Sequence, residues 1–135
     1  MENKKIKLKN FLDERGLLLP FEFNELEFEP KRLFIVKDVP AGLIRGSHSH
    51  FTTKQFLICS KGVVDVFLDD GTKKEKITLT QGEAILIPEL IWDRQEFMDI
   101  NSEIIVVCST EYDINDYIFD YNEFLKIKNN NNNNK

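Results

Sequence analysis

Short runs of apolar and β-branched residues recur along the chain with turn residues between them: Arg32 to Lys37, Gln55 to Cys59, Val63 to Leu68, Lys76 to Leu79, Ala84 to Ile87, Ile91 to Gln95 and Ile104 to Cys108. Asp69-Asp70-Gly71 predicts a tight primed hairpin turn, because Asp and Gly tolerate positive φ. Gln81-Gly82-Glu83 and Val39-Pro40-Ala41-Gly42 predict further turns. Regular short strands with no helical pattern between them predict an all-β antiparallel sandwich or barrel. The C-terminal segment differs. Tyr117, Ile118, Tyr121, Phe124 and Leu125 follow one helical face, with Asn115 as N-cap, and predict a short helix on the outside of the barrel whose aromatic stripe is core. The run Asn129 to Asn134 followed by Lys135 cannot bury apolar surface and predicts a disordered tail. The expected organisation is one domain over residues 1–128 and a tail over 129–135.

Composition fits one core. The 135 residues are 41% hydrophobic and include 11 Phe, which excludes a chain disordered by composition. Lys and Arg total 18 against 23 Asp and Glu, a net charge of -5. This argues against nucleic acid or an anionic membrane as partner, while leaving room for a local basic pocket. Cys59 and Cys108 each end an apolar run and are expected as core thiols, with no disulfide framework. The N-terminus has no apolar leader, and apolar runs reach only five residues against roughly 20 for a bilayer span, so a soluble cytoplasmic protein is expected.

The chain has only two histidines, His48 and His50. Two apart on a strand, they present both imidazoles to one face, with Ser47 and Ser49 directed away. Imidazole accepts and donates protons near neutrality and is also the commonest metal ligand, so the pair suits acid–base catalysis or metal binding. The plain alternative is a pair hydrogen-bonded to polar neighbours on a barrel wall. Against it, buried ionisable groups are costly and cluster at functional sites.

The spacing Gly42-x5-His48-x-His50-x4-Gln55-x6-Gly62 resembles the first motif of the cupin superfamily, with Gln55 at its glutamate. Gly82-x5-Pro88 followed by Leu90 and Asp93 partly resembles the second, with Leu90 at its glycine and Asp93 at its histidine. The resemblance implies an antiparallel jelly-roll barrel. Cupin metal sites take three imidazoles and a carboxylate. The set here would be His48, His50, Gln55 and Asp93, which still admits a 2-His-1-carboxylate iron site. A metal-free pocket is the preferred expectation, because Gln55 is a poor ligand and a metal would occupy both bases.

A narrower resemblance rests on Asp13-Glu14-Arg15-Gly16, Lys31-Arg32, Arg45-Gly46-Ser47-His48-Ser49-His50, Leu68-Asp69-Asp70-Gly71, Ile91-Trp92 and the segment Tyr112 to Tyr121. Together they are similar to the dTDP-4-keto-6-deoxyglucose 3,4-ketoisomerase family. That implies a small cupin without metal or other cofactor, dimeric, acting on a dTDP-sugar in a nucleotide-sugar pathway that supplies a deoxysugar for surface polysaccharide. It also implies that His48 and His50 are the catalytic residues. Moving a ketone from C4 to C3 takes a proton from C3, passes through an enediol and delivers a proton to C4. Two imidazoles can supply both transfers, each worth about 10²–10⁴-fold. Which of them takes the C3 proton is open at this level, as are the C4 configuration of the product and the nucleotide carrier.

The diphosphate requires local cations, and the candidates are Arg45, Arg32 and Arg15. The alternative for each is a solvated surface ion pair. Gln55 is a candidate for a sugar hydroxyl or a histidine, and Trp92 for stacking on thymine or sugar, although a lone Trp in an apolar run also suits the core. Asp93 is a candidate for holding an imidazole in one tautomer. The strand after Lys31-Arg32 reads Leu33-Phe34-Ile35 where the family is tyrosine-rich, so a phenol is missing there. Competing readings are a 3,5-epimerase-like enzyme, a metal-dependent cupin oxygenase or isomerase, and a non-enzymatic sugar-binding domain. A Phe-rich N-terminal segment (Phe11, Phe21, Phe23, Phe28) is a candidate to cross to a second copy.

Overall fold

The computed structural model describes residues 4–133. Its elements are β1 (Ile6–Lys7), β2 (Phe11–Asp13), β3 (Gly16–Leu18), β4 (Arg32–Val36), β5 (Ile44–His50), β6 (Gln55–Lys61), β7 (Val63–Asp69), β8 (Lys74–Thr80), β9 (Glu83–Ile87), β10 (Trp92–Phe97), β11 (Glu103–Cys108), β12 (Tyr117–Ile118) and α1 (Tyr121–Asn133). Two five-stranded antiparallel sheets, β1-β9-β6-β11-β4 and β12-β5-β10-β7-β8, face each other, and β2 and β3 form a separate ribbon. From β4 to β12 the chain changes sheet at every connection except β7 to β8, which gives an antiparallel jelly roll.

Alternation along the strands makes the core. Leu57 and Cys59 of β6, Val64, Val66 and Leu68 of β7, Ile85 and Ile87 of β9, Phe97 of β10, and Ile104 and Val106 of β11 meet between the sheets. The first sheet is covered on its other face as well. There Phe56, Ile58, Ala84 and Val107 pack with Leu8 and with Phe21, Leu26 and Phe28 of the N-terminal segment. Burial on both faces explains why β6 and β11 read as continuous apolar runs. Cys59 and Cys108 are buried free thiols. The β6–β7 crossing requires Gly62, whose φ is +74° and whose added Cβ would lie 2.5 Å from Ser102 Oγ.

The turn after β7 is longer than the primed turn expected. It spans residues 70–73, because side chains supply competing acceptors: Asp69 Oδ1 accepts from Gly71 N at 2.8 Å, and Asp70 Oδ1 accepts from Thr72 N and Lys73 N. Asn115 does not cap the helix. It lies in a 3-10 turn, Ile114–Asp116, where Asp113 accepts from its backbone N–H. Tyr117 and Ile118 then pair with β5, and α1 starts only at Tyr121, where the Asp120 carboxylate accepts from Glu123 N at 2.9 Å. The helix does pack on the outer face of the second sheet, with Phe124 buried against Trp92. It runs on to Asn133, so the first five asparagines of the expected disordered tail extend it. Asn134 and Lys135 lie outside the described residues. Among the described residues no helix is long and apolar enough to cross a membrane.

Candidate active site

β5 carries the site, and its geometry turns on one extra residue. It pairs with β10 as Glu96↔Ile44, Gln95↔Arg45, Arg94↔Gly46 and Asp93↔His48, with the register slipping between Asp93 and Arg94. The slip leaves Ser47 as a bulge, at φ +61°. In an unbroken strand Arg45 and His48 point to opposite faces. The bulge resets the alternation, and both line the same interior chamber. Gly46 makes the bulge feasible: a Cβ there would sit 3.2 Å from the backbone of both Arg94 and Asp93.

The two imidazoles meet edge to face, with ring centroids 5.0 Å apart and planes at 82°. Tyr117, the cross-strand partner of His50, packs its ring 4.4 Å from His50 and 5.2 Å from His48. His50 is buried and His48 half-buried. Burial pushes His50 down to about 4, helped by His48 and Arg32 and opposed by Asp116. Burial also lowers His48, against a hydrogen bond involving the Gly46 backbone. Both rings are therefore neutral near pH 7.

The chamber holds about 80 Å³ between the sheets. Phe34, Leu57 and Val106 supply apolar wall, and Arg45, His48, Gln55, Asp93 and Gln95 supply the polar groups. Gln55 is buried, and its amide donates to Cys108 Sγ at 3.7 Å. Asp93 Oδ1 accepts from Gln95 Nε2 at 2.6 Å. No hydrogen bond joins Asp93 to either imidazole among the described residues, so it does not fix their tautomers as expected. The donor set considered for a metal is not assembled: among the described residues no three His, Cys, Asp or Glu side chains converge as ligands.

The arginines part company. Arg45 lines the chamber, while Arg32 opens β4 with its guanidinium 4.9 Å from the Phe34 ring and 5.0 Å from the Tyr112 ring. Arg15 lies in the exposed β2–β3 turn and pairs with Asp13 at 2.6 Å, and the chain's own fold does not bring it to the histidines. Trp92 is also elsewhere. Strand alternation puts it on the outer face of β10, opposite Asp93, where its ring lies 5.3 Å from Tyr121 and lines a groove of about 390 Å³ under α1. Two site residues escaped the sequence reading. Tyr117 brings a phenol ring against both imidazoles, and Asp116 fixes the segment that carries it by accepting from the backbone N–H and hydroxyl of Thr52 and of Thr53. Their signal was the order Asp116-Tyr117 within a segment whose apolar spacing fits a helix equally well.

Residues 1–129 match the family model described as FdtA: WxcM-like, C-terminal. The TDP-4-oxo-6-deoxy-alpha-D-glucose-3,4-oxoisomerase of Aneurinibacillus thermoaerophilus is 34% identical over 128 residues, covering 93% of this chain and 92% of that protein. Among solved structures, a 3,4-ketoisomerase from Helicobacter canadensis superposes with a TM-score of 0.88 at 30% identity, covering 96% of this chain and 98% of that one. A sugar 3,4-ketoisomerase from Thermoanaerobacterium thermosaccharolyticum, solved with TDP, also scores 0.88, at 28% identity and 96% coverage of both chains.

Proposed function

The chain belongs to the FdtA family, WxcM-like, C-terminal, and we propose that it is a TDP-sugar 3,4-ketoisomerase in which His48 is the base for the carbon-bound proton. The observation that carries this is the pair of neutral imidazoles in edge-to-face contact on one strand face, with only His48 lining the chamber. His48 takes the C3 proton, and the C3–H electron pair forms the C3–C4 double bond while the C4 carbonyl becomes an enediolate oxygen. The hydroxyl proton passes from O3 to O4, assisted by the Tyr117 phenol. The imidazolium returns a proton to C4, which leaves the ketone at C3. His50, buried behind Tyr117, holds the His48 ring by contact. On this reading His50 supports His48, where the sequence predicts that the two rings share the transfers.

Arg45 at the chamber and Arg32 at its rim are the cations for the substrate diphosphate. Arg15 reaches a site only across a dimer. The β2–β3 ribbon supports that arrangement: Phe11, Leu12 and Leu18 are 59%, 76% and 62% exposed, on a two-stranded element that is not stable alone. The occupant is a second copy of this chain, and a sedimentation mass of two chains is expected; a mass of one chain contradicts it. A nucleotide-sugar substrate supports a cytoplasmic enzyme.

Incubation with TDP-4-keto-6-deoxyglucose and ¹³C NMR of the product tests the activity. A ketone at C3 is expected. A ketone still at C4, with an inverted neighbouring carbon, would instead identify an epimerase.

A further inference from the structure

Asp93 lies in the chamber without a role in the steps above. It is 1% exposed, and its Oδ2 is sealed from solvent with no hydrogen-bond partner. Its Oδ1 accepts only from Gln95 Nε2. Among the described residues it forms no ion pair. A carboxyl in such a place resists ionisation, because the charge would have one neutral donor and no water. Burial accordingly pushes it up to about 7, against the Gln95 hydrogen bond.

Its surroundings connect it to one group. Asp93 is the backbone partner of His48 across the β10–β5 pair, and both side chains line the same chamber. The charged or titratable groups on that chamber are Asp93 from β10 and Arg45 and His48 from β5; β4, β6 and β11 contribute only uncharged residues. Arg45 is exposed and does not bond Asp93. Behind Gln55, the Cys108 thiol is pushed up by burial and stays protonated. In water an Asp and a His that share one proton keep it on the imidazole, because the free carboxyl is the stronger acid. Here burial disfavours both charges, and the pair rests as neutral acid and neutral base. No hydrogen bond joins the two side chains, so they interact through space across the chamber wall they share, where little water screens them.

We propose that Asp93 is a positioning residue acting through His48: neutral when protonated, it becomes on ionisation the charge that supports the imidazolium formed as His48 takes the substrate's proton. This rests on His48 being the base. Turnover then rises as pH increases through the range where Asp93 ionises. Below that range the carboxyl is already neutral, and a neutral replacement changes little.

The test compares wild type with Asp93→Asn across pH 6 to 8.5, with the mutant's melting curve as a check of folding. Near pH 6 the two should turn over alike. At pH 8.5 the variant's kcat should fall by about tenfold with KM nearly unchanged. Because the chain has only two histidines, their ring signals are readily distinguished by NMR. The His48 signal should show a second step near pH 7 in wild type and none in Asp93→Asn. Equal loss of kcat at both pH values, or unchanged profiles, would overturn the proposal. If the variant does not fold, the Asp93 carboxyl ¹³C shift in wild type decides: titration near 7 supports the proposal, and titration near 4 overturns it. His48→Asn separates the two claims. If it turns over normally, the base assignment fails; if it is dead while Asp93→Asn shows no pH-dependent effect, only the Asp93 proposal fails.

Discussion

Tyr117 stands directly opposite His50 in the β12–β5 pair, with its ring 4.4 Å from that imidazole. A strand of two residues thereby closes the barrel wall over the histidines. It removes His50 from water and leaves His48 toward the chamber.

Tyr117→Ala is expected to hydrate His50 and raise its pKa from about 4 toward the ordinary 6.5, which a ring-proton NMR titration reads directly. Tyr117→Phe keeps the ring and should leave that value in place while lowering kcat. If Tyr117→Phe keeps full kcat, the phenol takes no part in moving the hydroxyl proton.

Asp116 is the latch of that wall, holding Thr52 and Thr53 by four hydrogen bonds. Asp116→Ala should cost about 2 kcal/mol in urea unfolding, since hydrogen bonds to a charged acceptor exceed neutral ones but this carboxylate is partly exposed. The hydrogen bonds from Thr53 and Thr52 hold its pKa below the ordinary 3.8 against the opposing effect of burial. Its contribution is therefore present above pH 4 and lost as pH falls through the lowered value.

Two buried groups give stability opposite slopes in acid. The unfolded chain protonates His50 below 6.5 and the folded one only near 4, so acidification across that window favours unfolding. Asp93 acts the other way. The unfolded chain ionises it above 3.8 and the folded one only near 7, so acidification across that window favours folding. Asp93→Asn removes the second slope. Its stability should fall more steeply than wild type's between pH 6.5 and 4, by a few kcal/mol at about 1.4 per unit. Parallel curves of stability against pH would contradict this.

Much of the barrel was legible because its strands are long and regular. The runs at Gln55, Val63 and Ile104 name residues that alternate between two buried faces, and Gly62 marks a crossing that no side chain fits. The histidine pair was legible from spacing alone. What stayed hidden depends on partners distant in sequence. Ser47 is a bulge only because β10 slips its register, and no local rule asks Ser to adopt φ +61°. Tyr117 and Ile118 fit a helical stripe until β5 supplies their hydrogen bonds. Trp92 is a stacking candidate by its residue type alone, yet on β10 it faces away from Asp93 and the chamber, since neighbours on a strand face opposite ways. β1, β2 and β3 are two or three residues each, too short to show a period.

The most direct test of the account is ¹H NMR of TDP-4-keto-6-deoxyglucose in D₂O with wild type and with His48→Asn. Wild type should move the ketone to C3 and place a proton or deuteron at C4, while the variant, still folded and still binding TDP, should neither isomerise the sugar nor exchange its C3 proton. Isomerisation by His48→Asn at the wild-type rate would contradict the assignment of His48 as the base.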